Sequence, residues 1–300
     1  MRYVLHGFIA FLICVFTASF SFAENSENDY GTDYDETIIV PFPQKMALNI
    51  SFKYNIGIFQ QQLTVYRTDK PFDIGLGLRY KNIAAKIFVA VDPDAIPFHD
   101  SFDTALNFYF RNTYFETFVN RYTNFYNNDD ETDVHENIGL EVFNAGFLSG
   151  WVVNNKRHSL RSVFSLSEKQ IESSGSFMYG LGVFYTSLHS ETTAMPHYNE
   201  RKHIVYFGPT IGYSYIWIFS HDLFLNLMGN IGIDLGINIP DTRLLFIPQI
   251  NPKITFGHHG DAWSINTVLG YNASVFLWDK KNIDTIAPAT ISVTFSGRFK

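Results

Sequence analysis

Residues 24–300 of this chain contain no cysteine, because the only cysteine, Cys14, lies near the N-terminus. Disulfide bonds and thiol catalysis are therefore excluded for this part of the chain, as are metal sites with cysteine ligands. Charge is also scarce: charged residues make up 17% of the sequence, whereas soluble domains average about 25%.

Long apolar runs are missing as well. Beyond residue 23, no run approaches the ~20 consecutive apolar residues that a helix needs to cross a bilayer. Aromatic residues are abundant instead, with 30 Phe and 17 Tyr. A chain that is rich in aromatic residues, poor in charge and free of long apolar runs is typical of a barrel in which every second residue faces lipid.

Basic residues are fewer than acidic ones. Residues 24–300 hold 21 Lys and Arg against 29 Asp and Glu, and the basic residues form no cluster. This balance argues against nucleic acid as a partner, because binding to phosphates needs concentrated positive charge.

The N-terminus has the pattern of a secretory signal. Arg2 is followed by the apolar run FIAFLICVFTASF, and small residues precede a cleavage position after Ala23. We therefore predict that residues 1–23 are a cleaved signal peptide and that the protein is exported. Residues 24–45 carry six acidic residues and only one basic residue, and we expect an acidic, flexible leader there.

From residue 46 onward, apolar and polar residues alternate with a period of two. In the last eleven residues one face carries Ile291, Val293, Phe295 and Phe299. Similar runs cover residues 222–238 and 262–278. A soluble strand is usually five or six residues long, but these runs have eleven to seventeen, nearer the length of tilted strands in a membrane. The pattern predicts an all-β fold, an antiparallel transmembrane β-barrel over residues 46–300.

Thirteen segments are candidate strands. They are residues 46–55, 73–80, 83–91, 102–110, 112–121, 138–153, 158–166, 176–188, 203–218, 222–238, 244–256, 262–278 and 290–300, and residues 61–67 are a candidate fourteenth. Bacterial single-chain barrels have even strand numbers, so we predict about 12 strands within a range of 10–14. If the chain ends at the periplasmic rim, counting back places residues 124–137 on that rim. That connection is long for a periplasmic turn, which indicates a miscounted strand between residues 122 and 176.

Several residue groups suggest chemistry without completing a site. The pairs His158-Ser159 and His189-Ser190 resemble parts of a hydrolase centre, but adjacent residues in a strand point to opposite faces. His258 and His259 lack a third metal ligand nearby. The acidic residues 129–133 lack the spacing of a calcium loop. We predict no catalytic residue, no metal site and no cofactor.

The alternation assigns a set of charged side chains to the barrel lumen. A charge on the lipid face costs ~2–4 kcal/mol near the bilayer midplane, so these charges are expected to point inward. With Asp73 and Asp103, the candidates are Arg79, Arg111, Glu116, Arg161, Asp234, Lys253 and Arg298. Mixed charge of this kind fits a small water-filled pore or a lumen plugged by internal ion pairs.

Three blocks of the sequence, together with the leader residues 32–50, resemble a known family. The blocks are residues 72–90, 143–188 and 206–236, and their most specific motifs are Ser-x-Gly-Ser-Phe at 173–177 and Phe-Gly-Pro-x-x-Gly-Tyr at 207–213. They resemble an uncharacterised bacterial family with the domain of unknown function 4421, which is predicted to form outer-membrane β-barrels. The resemblance implies an architecture and a location, and it transfers no catalytic residue.

We therefore expect an integral protein of the cell outer membrane. Its partners are expected to be outer-membrane lipids and the barrel-assembly machinery, which recognises a C-terminal strand of this type. The leading functional hypothesis is a non-enzymatic barrel, either a small porin-like channel or a structural surface barrel. One alternative is an enzyme acting on lipid or lipopolysaccharide acyl chains. Another is an adhesin or receptor that uses loops 188–202 and 279–288.

Overall fold

A computed structural model describes residues 34–61, 64–68, 71–91, 101–129, 134–192, 195, 198–220, 222–239, 241–278 and 283–299. The predicted signal peptide, the first part of the leader and the acidic residues 130–133 lie outside these ranges. The chain divides into Met1–Glu36 and Thr37–Lys300, and the fold concerns the second unit. No helix in the described ranges is long and apolar enough to span a membrane.

The described chain is built almost entirely from strands. They are β1 (Ile39–Pro41), β2 (Met46–Ile56), β3 (Ile58–Gln61), β4 (Thr64–Thr68), β5 (Phe72–Tyr80), β6 (Ile83–Ala90), β7 (Phe102–Tyr109), β8 (Thr113–Tyr122), β9 (Phe125–Asp129), β10 (Val134–Asn137), β11 (Leu140–Val152), β12 (Glu168–Gln170), β13 (Ser174–Ser190), β14 (Lys202–Ile218), β15 (Leu223–Asn238), β16 (Arg243–His259), β17 (Trp263–Tyr271), β18 (Ala273–Leu277), β19 (Ile283–Ile286) and β20 (Ala289–Phe299).

All strands except β1 and β12 form one closed antiparallel barrel. Six pairs of consecutive segments continue each other across a short break, namely β2 with β3, β4 with β5, β8 with β9, β10 with β11, β17 with β18, and β19 with β20. The barrel therefore has twelve strands, as predicted. The C-terminal β20 closes it by pairing with β2, with Met46 opposite Phe299.

The alternation predicted from the sequence builds the two faces of the wall. In β15, Leu227, Ile231 and Leu235 point outward and are 47–60% exposed, whereas Asn226 and Asn230 are buried on the inner face. Neighbouring strands repeat this pattern, so the barrel presents an exposed apolar belt. Such a belt faces lipid in a membrane barrel, and the fold is a transmembrane β-barrel.

One predicted strand is wrong, and it explains the long periplasmic turn that the sequence predicted. Residues 158–166 do not belong to the wall; they contain a single π-helical turn, Arg161–Ser165, inside the barrel. Without this strand, residues 153–173 lie at the rim that carries Met46 and Phe299, which we call the terminal rim. Residues 124–137 move to the opposite, distal rim, where β9 and β10 pair as a hairpin.

Apolar side chains fill the distal half of the lumen. Inward-facing residues of eight barrel strands and two residues of the connection after β13, Met195 and Tyr198, form one buried cluster. Tyr198 also donates a hydrogen bond to Asp284. Toward the terminal rim, a buried polar layer follows, in which Thr186 donates to Asn144 (2.8 Å) and Asn144 donates to Asn120 (3.1 Å). In the described chain, the distal half is therefore packed like a protein core rather than lined with water.

Candidate functional site

Residues 153–173 connect β11 to β13 and fold back into the lumen; we call them the inserted segment. The turn over Arg161–Ser165 ends at Leu166, whose φ of 53° is left-handed and reverses the chain into β12. Val163, Leu166 and Glu168 are at most 3% exposed. Because these residues are buried by inward-facing side chains of the wall, the segment is a plug at the terminal rim rather than an exposed loop.

Glu168 makes the central electrostatic contacts of this plug. Its two carboxylate oxygens accept bonds from the guanidinium of Arg111, at 2.9 and 3.0 Å, in a bidentate arrangement. Arg161 lies 3.5 Å from the same carboxylate, and the Ser159 hydroxyl donates to it as well. Arg111 stands in the turn between β7 and β8. A fully buried carboxylate thus ties the inserted segment to the barrel wall, and bidentate pairs of this kind are the strong ones.

The end of the leader is attached to the same plug. β1 pairs antiparallel with β12, with Ile39 opposite Gln170. Ile39 is fully buried, and the backbone N–H of Phe42 donates to Ser167 O at 3.1 Å. Within the predicted leader, residues 39–41 form a strand because the backbone edge of β12 offers them hydrogen-bond partners. The inserted segment and the leader therefore close the terminal rim together.

Two buried arginines complete this closure by binding backbone carbonyls. Arg298 donates to Gly260 O (2.7 Å), Trp263 O (2.9 Å) and Leu166 O (3.4 Å), and its guanidinium lies 3.5 Å from the ring centre of Phe42. Arg79 donates to Gln44 O, Lys45 O and Lys81 O at 3.2–3.3 Å. Both were predicted to face the lumen; the structure places them at its terminal end, where they bridge the wall, the leader and the plug.

Apolar contacts hold the side of the inserted segment that faces the chamber. Leu160 joins a buried cluster with Met178 and Met228, and Phe164 stacks on Tyr109 with ring centres 5.9 Å apart. In the predicted wall strand 158–166, alternation places Leu160, Phe164 and Leu166 on the lipid face. That assignment is wrong, because two apolar surfaces meet here inside the lumen.

A chamber of about 300 Å³ lies between the plug and the distal apolar cluster. Five charged residues line it: Lys53, Lys86, Asp103, Glu116 and Lys253. Most of their charges are paired. Lys53 lies 2.8 Å from Asp103 and 3.0 Å from Asp73, and Lys253 lies 2.9 Å from Glu116. The tyrosine hydroxyl of Tyr109 also donates to Glu116, at 2.8 Å.

The remaining sequence candidates do not assemble into one centre. Asp234 is fully buried on the inner face of β15, and neither carboxylate oxygen has a hydrogen-bond partner within the part of the chain that is described. Arg111, Arg161 and Arg298 lie at the terminal rim, whereas Glu116 and Lys253 pair across the chamber. The structure therefore divides the predicted set between a closure and a chamber.

The serine and histidine candidates form no nucleophilic pair. His158 Nδ1 lies 3.1 Å from Ser174 Oγ, but Ser159 donates to Glu168 instead of to His158. His259 is bound to Ser264 at 3.0 Å and stacks on Phe224, whereas His258 stacks on Trp263. Each imidazole packs in a separate environment, so these residues support the structure of the terminal rim. Among the described residues, no group of acidic, histidine or cysteine side chains is arranged to hold a metal.

Three functional residues were missed by sequence reasoning. Lys53 and Lys86 lie at inward positions of β2 and β6, and strict alternation within two predicted strands would have found both. Glu168 had no such signal. Its position depends on the inserted segment leaving the wall, which a pattern with period two does not reveal.

Acid is expected to loosen the inserted segment through His158. Burial lowers the pKa of His158 from 6.5 to about 4. Because the folded pKa is below the unfolded value, the neutral ring contributes stability above pH 6.5, and this contribution is lost as the pH falls through about 4. We expect the urea midpoint to fall between pH 7 and pH 4 more in the native chain than in a His158→Gln variant. Equal falls in both proteins would contradict this role.

These features define a class: a twelve-stranded transmembrane barrel whose lumen is packed at the distal half and closed at the terminal rim by an inserted segment. More particularly, the chain belongs to the family of the domain of unknown function DUF4421, whose model matches residues 30–295. The match covers every strand of the barrel, the last of them as far as Phe295.

Solved structures with some similarity to the chain are other outer-membrane proteins. A bacterial polysaccharide outer-membrane secretin is 12% identical, with 86% of this chain and 99% of that chain covered and a TM-score of 0.34. The toluene transporter TodX of Pseudomonas putida is 8% identical, with 86% and 90% covered and a TM-score of 0.30. OmpT, an outer membrane protein of Vibrio cholerae, is 8% identical, with 85% and 98% covered and a TM-score of 0.29. TM-scores at this level do not establish a shared topology. No curated protein matches the chain by sequence.

Proposed function

We propose that this protein is a non-enzymatic barrel of the cell outer membrane that is closed in its resting state, a structural surface barrel rather than an open channel. In this proposal the terminal rim, where Met46 and Phe299 of the paired strands β2 and β20 lie, faces the periplasm, and the connections of the distal rim face outward. The single observation that supports this proposal most is the double closure of the lumen, by the distal apolar cluster and by the inserted segment.

The two closures differ in chemistry but act in series. The distal cluster is dry and apolar, and ions do not cross such a constriction readily, since charge is costly to desolvate. The terminal closure is fixed by the contact between Glu168 and Arg111 and by the pairing of β1 with β12. An ion that passed one closure would still meet the other.

The enzymatic alternative is less well supported. An acyl hydrolase needs a serine activated by a base and a site open to lipid. Ser159 is buried and bound to a carboxylate that two arginines already engage, and His158 is turned toward Ser174. Neither residue borders the chamber.

Planar bilayers test this function directly. We expect the refolded protein to insert without producing discrete conductance steps, whereas a known porin in the same bilayers produces them. Insertion is verified separately by heat-modifiable migration on gels. Regular steps from the inserted native protein would show that the barrel is a channel and would overturn the closed state proposed here.

A further inference from the structure

Lys86 lines the lumen chamber, and the described part of the chain offers it no carboxylate partner. It lies on the inner face of β6. A charge taken out of bulk water is costly unless it is paired or hydrated. An unpaired lysine inside a barrel therefore indicates a place for a negatively charged group.

Around Lys53 the charge imbalance has the opposite sign, because acidic groups outnumber basic ones there. Lys53 contacts two carboxylates, those of Asp73 and Asp103, at 3.0 and 2.8 Å. One ammonium group faces two acidic groups, so negative charge is in excess at this end. Glu116 and Lys253 balance each other. Counted together with Asp73, the charges are balanced, with one excess positive charge at Lys86 and one excess negative charge shared by Asp73 and Asp103, of which Asp103 lines the chamber.

The two charges lie on the inner face of neighbouring strands, β6 and β7, and are offset along them. Asp103 pairs in register with Phe88, two residues along β6 from Lys86, which is about 7 Å along the strand. The stem of Lys86 lies against Gly77, where a Cβ atom would be only 3.0 Å from Lys86 Cγ. Gly77 of β5 therefore gives Lys86 room to lean toward β2 and away from Asp103 on β7.

The chamber between these charges is lined by both apolar and polar side chains. Oδ1 of Asn107, a residue of the chamber lining, is buried and has no hydrogen-bond partner in the described chain. A volume of about 300 Å³ lies at the lower end of the range for small-molecule pockets. The ligand that fits is small and carries both charges, since an anion alone would leave the excess at Asp103 uncompensated.

We propose that the chamber binds a small zwitterion, whose carboxylate contacts Lys86 and whose ammonium group contacts Asp103. The separation of the two sites favours a ligand with several bonds between its charges over an α-amino acid. This binding goes beyond the closed-barrel function and does not depend on conduction.

The probes are 4-aminobutyrate, glycine, butyrate and butylamine, present throughout equilibrium unfolding of the refolded barrel. A ligand that binds only the folded state raises the unfolding midpoint, whatever its route of entry. We expect 4-aminobutyrate to raise the midpoint more than the other three. Equal effects of butyrate and 4-aminobutyrate would replace the zwitterion site by a simple anion site, and no effect of any probe would overturn the proposal.

Variants assign the effect to the two charges. Because a hydrogen bond to a charged group contributes ~1.5–3 kcal/mol, Lys86→Gln and Asp103→Asn should each weaken 4-aminobutyrate binding by about tenfold or more. Lys45→Gln, which changes an exposed lysine outside the barrel wall, is the matched control and should leave the shift unchanged. If Lys86→Gln retains the full shift, the site is not the one proposed.

Discussion

Replacing Glu168 with alanine is expected to release the inserted segment from the barrel. The substitution removes the fully buried carboxylate that pairs with both Arg111 and Arg161, which are themselves partly buried. Removing one partner of a buried ion pair costs on the order of 3 kcal/mol, because the remaining charge is uncompensated. The wall strands keep their own backbone pairing, so the loss of stability should fall mainly on the inserted segment.

The absence of cysteine from residues 24–300 makes this release measurable. A single Val163→Cys substitution places a thiol at a fully buried position of the segment. With Glu168 present, we expect it to react slowly with a maleimide. If labelling follows local opening, Glu168→Ala should accelerate it about a hundredfold. Glu168→Gln keeps the shape of the side chain, and its labelling rate should fall between the rates with Glu168 present and with Glu168→Ala.

The matched control lies in the same segment. Glu172 pairs with Arg157 at 3.0 Å, but both side chains are more than half exposed. Exposed ion pairs contribute little to stability, so Glu172→Ala should leave the labelling rate close to that of the parent. Equal acceleration by Glu168→Ala and Glu172→Ala would mean that the buried contact does not hold the plug. A membrane-impermeant maleimide that labels the opened variant only after the outer membrane is breached would place the terminal rim in the periplasm.

The wall of the barrel could be predicted from the sequence because alternation reports directly on it. Lipid on one side and a polar or packed lumen on the other constrain every second residue, and runs such as 222–238 show this over their whole length. The family resemblance and the strand number followed from the same residues. In the wall, the alternation of apolar and polar residues agrees with the lipid-facing and lumen-facing environments of their side chains.

The plug could not be predicted in this way, because its environment is set by distant residues. His158 to Leu166 contain enough apolar positions to imitate a short strand, and nothing local shows that these side chains meet Ile216 and Phe224 within the lumen. Counting residues 158–166 as a strand assigned each connection before them to the opposite rim of the barrel. Tertiary contacts, such as those with Ile216 and Phe224 and that between Glu168 and Arg111, separate the two interpretations.

An arginine placed on the apolar belt should destabilise the inserted barrel, and the size of the effect should depend on its depth in the bilayer. Ile231 lies near the middle of β15 and faces outward, 54% exposed. A charge at the bilayer midplane costs ~2–4 kcal/mol because it must be taken from water into hydrocarbon. We expect Ile231→Arg to lower the free energy of unfolding in phospholipid vesicles by that amount, measured by urea titration of tryptophan fluorescence.

Leu244 is the matched control for this position. It also points outward and is 81% exposed, but it lies at the distal end of β16, near the edge of the belt. Near an interface the cost of arginine falls to about 0–1 kcal/mol, since the side chain reaches water. Leu244→Arg should therefore insert almost normally. If the two substitutions cost the same, the outward face is not arranged around a hydrocarbon core at the level of Ile231, and the barrel would cross the bilayer at a different height.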